Sequence, residues 1–139
     1  MPKKSPRDEA KRWFRQAEED LNDAKYLEEG HRFHLACFMS QQAAEKAIKA
    51  FLYACGVEFV WGHSVAELCE DARHFDPDFG EILPLGGSLD KYYIPTRYPN
   101  GLPGGIPAEA YTEDDARIAL SLASQILEFV AQKLKLRQK

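Results

Sequence analysis

The sequence predicts an all-α protein: an up-down antiparallel bundle of four to five helices. Three observations carry that prediction. Apolar residues recur three and four apart over three long stretches, the spacing that gathers side chains on one helix face. Start and stop signals bound these stretches, with glycine at two of the ends and Ser64 or Thr112 followed three positions later by an acid at two starts. No stretch of useful length alternates polar and apolar residues as a half-buried strand does.

The elements follow in order. Residues 1–7 are polar, contain two prolines and read as a flexible N-terminal arm ahead of a single domain over 8–139. From about Asp8 to Glu29, Ala10, Trp13, Phe14, Ala17, Leu21, Ala24 and Leu27 form one apolar stripe, with Glu18, Glu19, Asp20 and Asp23 outside it. Gly30 stands where a helix ends.

The second helix, from about Phe33 to Cys55, is the centre of the prediction. It has a small face (Ala36, Ser40, Ala43, Ala47, Ala50, Ala54) that lets a neighbouring helix approach closely. A large face (Leu35, Phe38, Ala44, Ile48, Phe51, Leu52, Cys55) is expected to fill the core. The short link before it makes helices one and two antiparallel neighbours, and Gly56 closes it.

Val57 to Trp61 reads as a packed loop, and Ser64 with Glu67 opens a short helix over about Val65 to His74. Asp76-Pro77 opens another. Pro84, Gly86 and Gly87 are expected to break it, with helical character returning from Ser88 to Tyr93. A Pro/Gly-rich loop follows at about 94–111, the longest irregular stretch, and loops of that length tend to carry function. Thr112 and Asp115 start the last helix, whose core stripe is Ala116, Ala119, Leu120, Ala123, Ile126, Leu127, Val130 and Leu134.

Composition narrows the function classes. At 139 residues the chain suffices for one domain with a core, and 45% hydrophobic with 29% charged residues is ordinary for a globular protein. A net charge of -4 argues against an autonomous nucleic-acid binder, although a local basic patch is compatible with it. The basic ends (Lys3, Lys4, Arg7; Lys133, Lys135, Arg137, Lys139) read as solvated termini. Cys37, Cys55 and Cys69 form no CxxC pair; an odd number within helical patterns fits reduced, buried thiols. No apolar run reaches membrane-spanning length and the N-terminus lacks an apolar signal core, so a cytoplasmic location without membrane attachment is expected.

Motifs for chemistry are sparse. His31 and His34 are three apart but have no third ligand nearby, and read as a partly exposed pair at a helix start; no metal or cofactor is expected. The GLPGG segment lacks the lysine and serine of a phosphate loop, and no Ser or Cys has an activated context. Two constellations stand out. Gln41, Gln42, Glu45, Lys46 and Lys49 form a polar stripe on the second helix. It is either a solvated ridge, with a Glu45–Lys49 pair worth about 0.3–0.5 kcal/mol, or an interface or ligand site. Thr96-Arg97-Tyr98-Pro99 puts an arginine fork beside an aromatic ring, which suits phosphate binding with stacking. The competing reading is a structural turn in which Tyr98 packs and Arg97 pairs with an acidic helix residue.

Four blocks together, Ala17–Ala24 (AEEDLNDA), Ala36–Leu52 (ACFMSQQAAEKAIKAFL), Gly62–Leu68 (GHSVAEL) and Thr96–Pro99 (TRYP), resemble the HEPN domain family from about Arg12 to Leu134. The resemblance implies a helical bundle like the substrate-binding subunits of nucleotidyltransferases. It also implies a homodimer, often beside a minimal nucleotidyltransferase in toxin–antitoxin or defence systems. Many family members are metal-independent ribonucleases with an arginine followed after four to six residues by histidine. None of His31, His34, His63 and His74 has an arginine at that spacing. The expectation is therefore a non-catalytic module that binds a nucleotide such as ATP or GTP, or a partner. Its candidate residues are Gln41, Gln42, Glu45, Lys46, Lys49, His63, Arg97 and Tyr98. The alternative is a ribonuclease with a displaced constellation, Arg97 or Arg32 meeting His63 or His34 in space.

Overall fold

Ser5 starts the first helix before the apolar pattern begins. Its hydroxyl accepts the Asp8 N–H at 3.1 Å, Pro6 sits in the first turn, and Asp8 and Glu9 complement the positive helix end. In the computed structural model, which describes residues 5–137, α1 therefore spans Pro6–Glu29. Of the expected arm, residues 1–4 lie outside the described residues, whereas Pro6 and Arg7 are helical. The remaining α-helices among the described residues are α2 (Phe33–Ala54), α3 (Val65–Arg73), α4 (Leu83–Asp90), α5 (Pro107–Ala110) and α6 (Glu113–Arg137), with 3-10 turns at Pro77–Glu81 and Pro99–Gly101. None of these residues forms a strand, and no helix among them is long and apolar enough to cross a membrane.

The link from α1 to α2 uses a histidine where glycine was expected. Arg32 N–H bonds back to the Leu27 carbonyl at 2.8 Å and His31 N–H to that of Glu28 at 3.0 Å, so the left-handed position falls on His31 (φ 59), one residue after Gly30. The His31 ring stacks on Phe33 at 5.4 Å, which helps hold this costly conformation. At the other end of α2 the same motif falls on Gly56 (φ 94), as expected from the sequence.

α2 is the central helix. It packs along α1 and α6, with α3 and α4 closing the remaining side. Its small face is buried from Ala36 to Ala50, which lets the neighbouring backbones come close. The large face is only partly core: Ile48, Phe51 and Leu52 are buried, but Leu35 and Phe38 are half-buried. Phe51 meets Phe79 at 4.3 Å between ring centroids, and Phe79 meets Phe129 edge-on at 5.0 Å. Phe79 thus ties the 3-10 turn after Asp76-Pro77 to α2 and α6. Lys133 on α6 reinforces the turn, donating to Asp76 at 2.8 Å and Asp78 at 2.6 Å. The hydrogen bond from Lys133 holds the Asp76 carboxyl below the ordinary carboxylate range. The stability it adds is therefore present above that range and lost as the pH falls through it.

The Val57–Trp61 segment is a loop, but it is packed only in part. Val57 and Val60 lie against the core, while Phe59 and Trp61 are 70% and 81% exposed. Thr112 and Asp115 cap α6 reciprocally, with bonds of 2.8 and 3.2 Å.

Pro84, Gly86 and Gly87 do not interrupt α4. Pro84 lies in its first turn, where the missing N–H costs nothing. Gly86 is needed for space: a Cβ there would lie 2.8 Å from Val65 Cγ1 and 3.1 Å from Ala66 N. The glycine lets α4 touch the start of α3. Gly87 has nothing within 4 Å of its would-be Cβ. In urea unfolding, Gly86→Ala is expected to lose about 1–3 kcal/mol by overpacking, and Gly87→Ala to gain about 0.5–1 kcal/mol through helix propensity. Equal effects at the two positions would refute the close-approach account.

Candidate functional site

A buried polar group left unpaired costs about 1–3 kcal/mol, so the polar stripe on α2 has to be accounted for group by group. Gln41, Glu45 and Lys49 are buried, and Gln42 and Lys46 are half-buried; the stripe is an interior seam and not a solvated ridge. The Gln41 amide donates to the His63 carbonyl at 2.7 Å and to Asp90 Oδ1 at 3.3 Å, and its oxygen accepts from Gln42 at 2.8 Å. Glu45 lies between Lys49 (3.3 Å) and His63 Nδ1 (3.1 Å). Lys46 pairs with buried Asp20 of α1, which also accepts from Gln16 at 2.8 Å. Lys49 sits 5.6 Å from the centre of the Trp13 ring.

Asp90, at the end of α4, organises the far side of this seam. It accepts the Val65 N–H at 2.7 Å, the Ala66 N–H at 3.1 Å and the Ser64 hydroxyl at 2.8 Å, in addition to Gln41. Two of these donors are orphan N–H groups of the first turn of α3, so Asp90 caps that helix from another element. The close approach at Gly86 puts it within reach.

The seam reaches the surface at His63, whose side chain is 60% exposed. Nδ1 lies 3.1 Å from the Glu45 carboxylate, which favours the tautomer with its proton on Nδ1 and Nε2 as the acceptor. The imidazole stacks on Tyr93 at 5.1 Å with a 17° interplanar angle. Arg97 comes to the same ring: its guanidinium carbon lies 4.7 Å from Tyr93, 4.4 Å from Phe38 and 5.3 Å from Tyr98. Its Nε donates to the Tyr93 carbonyl at 2.9 Å. Among the described residues its terminal nitrogens have no carboxylate partner, so the turn with an Arg97–acid pair does not form. Buried Thr96 anchors the loop by donating to the Tyr92 carbonyl, and Tyr98 remains 50% exposed.

The eight candidate residues thus divide. Gln41, Gln42, Glu45 and Lys49 support the surface from below, and Lys46 is tied to Asp20. Exposed Tyr98 lies against half-buried Arg97, and Arg97 and His63 pack on Tyr93, to which no sequence motif points. None points to Asp90 either, since nothing near it in sequence marks a cap for a helix that starts twenty-five residues earlier. His34 does not form an exposed pair with His31. It is buried, its pKa is lowered by burial and by Arg32, and its Nδ1 has no hydrogen-bond partner among the described residues. Burial pushes the Cys37 and Cys69 thiols up to about 12, so both remain protonated at neutral pH.

Fold and site together define a helical bundle in which a buried polar seam supports a partly exposed His–Tyr–Arg cluster. The family model of the HEPN domain matches residues 10–134, and the chain belongs to that family. It is 32% identical over 136 residues to a Methanocaldococcus jannaschii protein that carries the name "Putative toxin MJ1304", covering 91% of this chain and 88% of that one. The crystal structure of TT1696 from Thermus thermophilus is similar at a TM-score of 0.84 and 42% identity, covering 89% of this chain and 97% of that one. ST0689, described as an archaeal HEPN homologue, gives 0.75 and 41%, covering 90% and 97%.

Asp90→Ala leaves two helix N–H groups, a hydroxyl and the Gln41 amide short of an acceptor. Urea unfolding is expected to show a loss of about 3 kcal/mol, with Asp90→Asn costing clearly less. A loss below about 1 kcal/mol for the alanine variant would show that water replaces the carboxylate and that the seam does not depend on it.

Proposed function

We propose that this HEPN protein is a nucleotide-binding module that works as a homodimer with a minimal nucleotidyltransferase in a cytoplasmic toxin–antitoxin-type system. The observation that carries the nucleotide reading is Arg97, whose guanidinium is fixed among three aromatic rings while its terminal nitrogens lack a carboxylate among the described residues. A fork pre-organised in this way receives a phosphate with little loss of side-chain entropy. Half-exposed Tyr98 offers a face for a base, and His63 Nε2 offers a further polar contact. The resemblance to a protein named as a toxin supports the system-level part of the reading.

Calorimetric titration with ATP and GTP, on the protein alone and mixed with the product of its neighbouring gene, tests both parts. Binding is expected to weaken at least tenfold in Arg97→Lys, which keeps the charge but loses the fork. Absence of nucleotide and partner binding in both settings would overturn the proposal.

One observation favours a second reading. His63 and Arg97 each pack on the Tyr93 ring although they are far apart in sequence, which supports a displaced Arg–His pairing of the kind a metal-independent endoribonuclease would use. Nε2 of His63 would take the proton of a ribose 2′-hydroxyl as its oxygen attacks the adjacent phosphorus; the P–O5′ bond breaks, the 5′-oxygen takes a proton from water, and a 2′,3′-cyclic phosphate remains, with Arg97 stabilising the charge on the phosphate. Incubation with single-stranded and structured RNA in the presence of a chelator decides this: cleavage should occur and should fall at least a hundredfold in His63→Ala. No cleavage, or cleavage that persists in that variant, removes the reading.

A further inference from the structure

A strongly cationic concavity lies away from the His63–Arg97 cluster. A groove of about 810 Å³ runs between the start of α1 and the end of α6, with Ala54 of α2 in its lining. Its apolar lining consists mainly of Ala10, Phe14, Ala131 and Leu134. Arg7, Lys11 and Arg15 line it from α1, and Lys135 and Arg137 from α6. Among the described residues the lining contains no Asp or Glu, in a chain whose net charge is -4. None of the five cations is in an ion pair among the described residues, whereas Arg12 on the same helix is paired with Glu9 at 2.7 Å. Arg7, Lys11 and Arg15 are four residues apart, so they form one row with a rise of about 6 Å per step.

We propose that this groove is the docking site for an acidic amphipathic helix of a protein partner. Apolar residues between two cationic walls match a helix with an apolar stripe flanked by carboxylates. Alanines at three of the lining positions leave room for a backbone to come close, and a four-residue cation spacing matches Glu or Asp at the same spacing on the partner. An acidic single strand of nucleic acid would find the charge but little to stack on, because among the described residues Phe14 is the only aromatic one in the lining. The inference gives the partner of the preceding section a docking chemistry, but its test does not depend on that partner's identity.

The probe is a fluorescein-labelled model helix of about eighteen residues, or five turns, with leucines on one face and glutamates flanking them, followed by fluorescence anisotropy on the full chain. Polyglutamate, oligouridylate and anionic vesicles are the competitors. The model helix is expected to bind, to resist competition by all three, and to weaken at least tenfold in the charge-reversed Lys11→Glu/Arg15→Glu protein. Both residues are exposed, so circular dichroism should show an unchanged fold. Arg97→Lys should bind the helix normally, which separates failure of this proposal from failure of the nucleotide reading. No binding, equal binding of polyglutamate, tighter binding of the RNA or of the vesicles, or insensitivity to charge reversal would each overturn it.

Discussion

The carboxylate of Asp90 is the constraint on which the site depends. A short helix such as α3 has little intrinsic stability, and its first N–H groups must find acceptors. Asp90 supplies them from α4 and uses its remaining capacity on Ser64 and Gln41. That choice has structural consequences in both directions. α4 must approach α3 closely enough to need a glycine at position 86, and α2 must carry a buried amide facing the same point. The loop before α3 is then fixed at its end, with the His63 carbonyl bound to Gln41 and the His63 ring bound to Glu45.

The exposed cluster follows from that frame. His63 is held through its backbone and through Nδ1, and Arg97 is held by one hydrogen bond and three rings. Each residue arrives from a different loop, and Tyr93 is their common surface. Such an arrangement loses little freedom when a phosphate arrives, which is the property a binding site needs and a surface salt bridge lacks. Glu45 links the two layers. It balances buried Lys49 below and orients His63 above, so its removal would leave Lys49 buried without a carboxylate and His63 unoriented.

Much of the fold is legible in the sequence because helices announce themselves by period and by caps. The α6 start, the Gly56 stop and the long apolar stripes depend on residues within a turn or two of each other. The departures share a cause: each depends on a neighbour distant in sequence. Gly86 reads as a breaker because its role is to admit Val65, and His34 reads as exposed because its burial is imposed by packing. The polar stripe stands out as unusual, but periodicity gives no depth. Nothing local distinguishes Gln41, fully buried, from a solvated glutamine. Neighbouring residues pick out Arg97 and His63 separately, yet only the fold brings them to one ring.

The two cationic features occupy opposite parts of the same helix. Phe38, beneath Arg97, and Ala54, in the groove, are sixteen residues apart on α2, roughly 24 Å along its axis. Charges at that distance across water are screened to insignificance at physiological ionic strength, so a ligand at one site does not alter the other electrostatically. Coupling would need α2 or its packing to change, and the alanine-lined contacts with its neighbours leave little slack for that. The physical expectation is a module that can hold a small anionic ligand and a protein partner at once and independently.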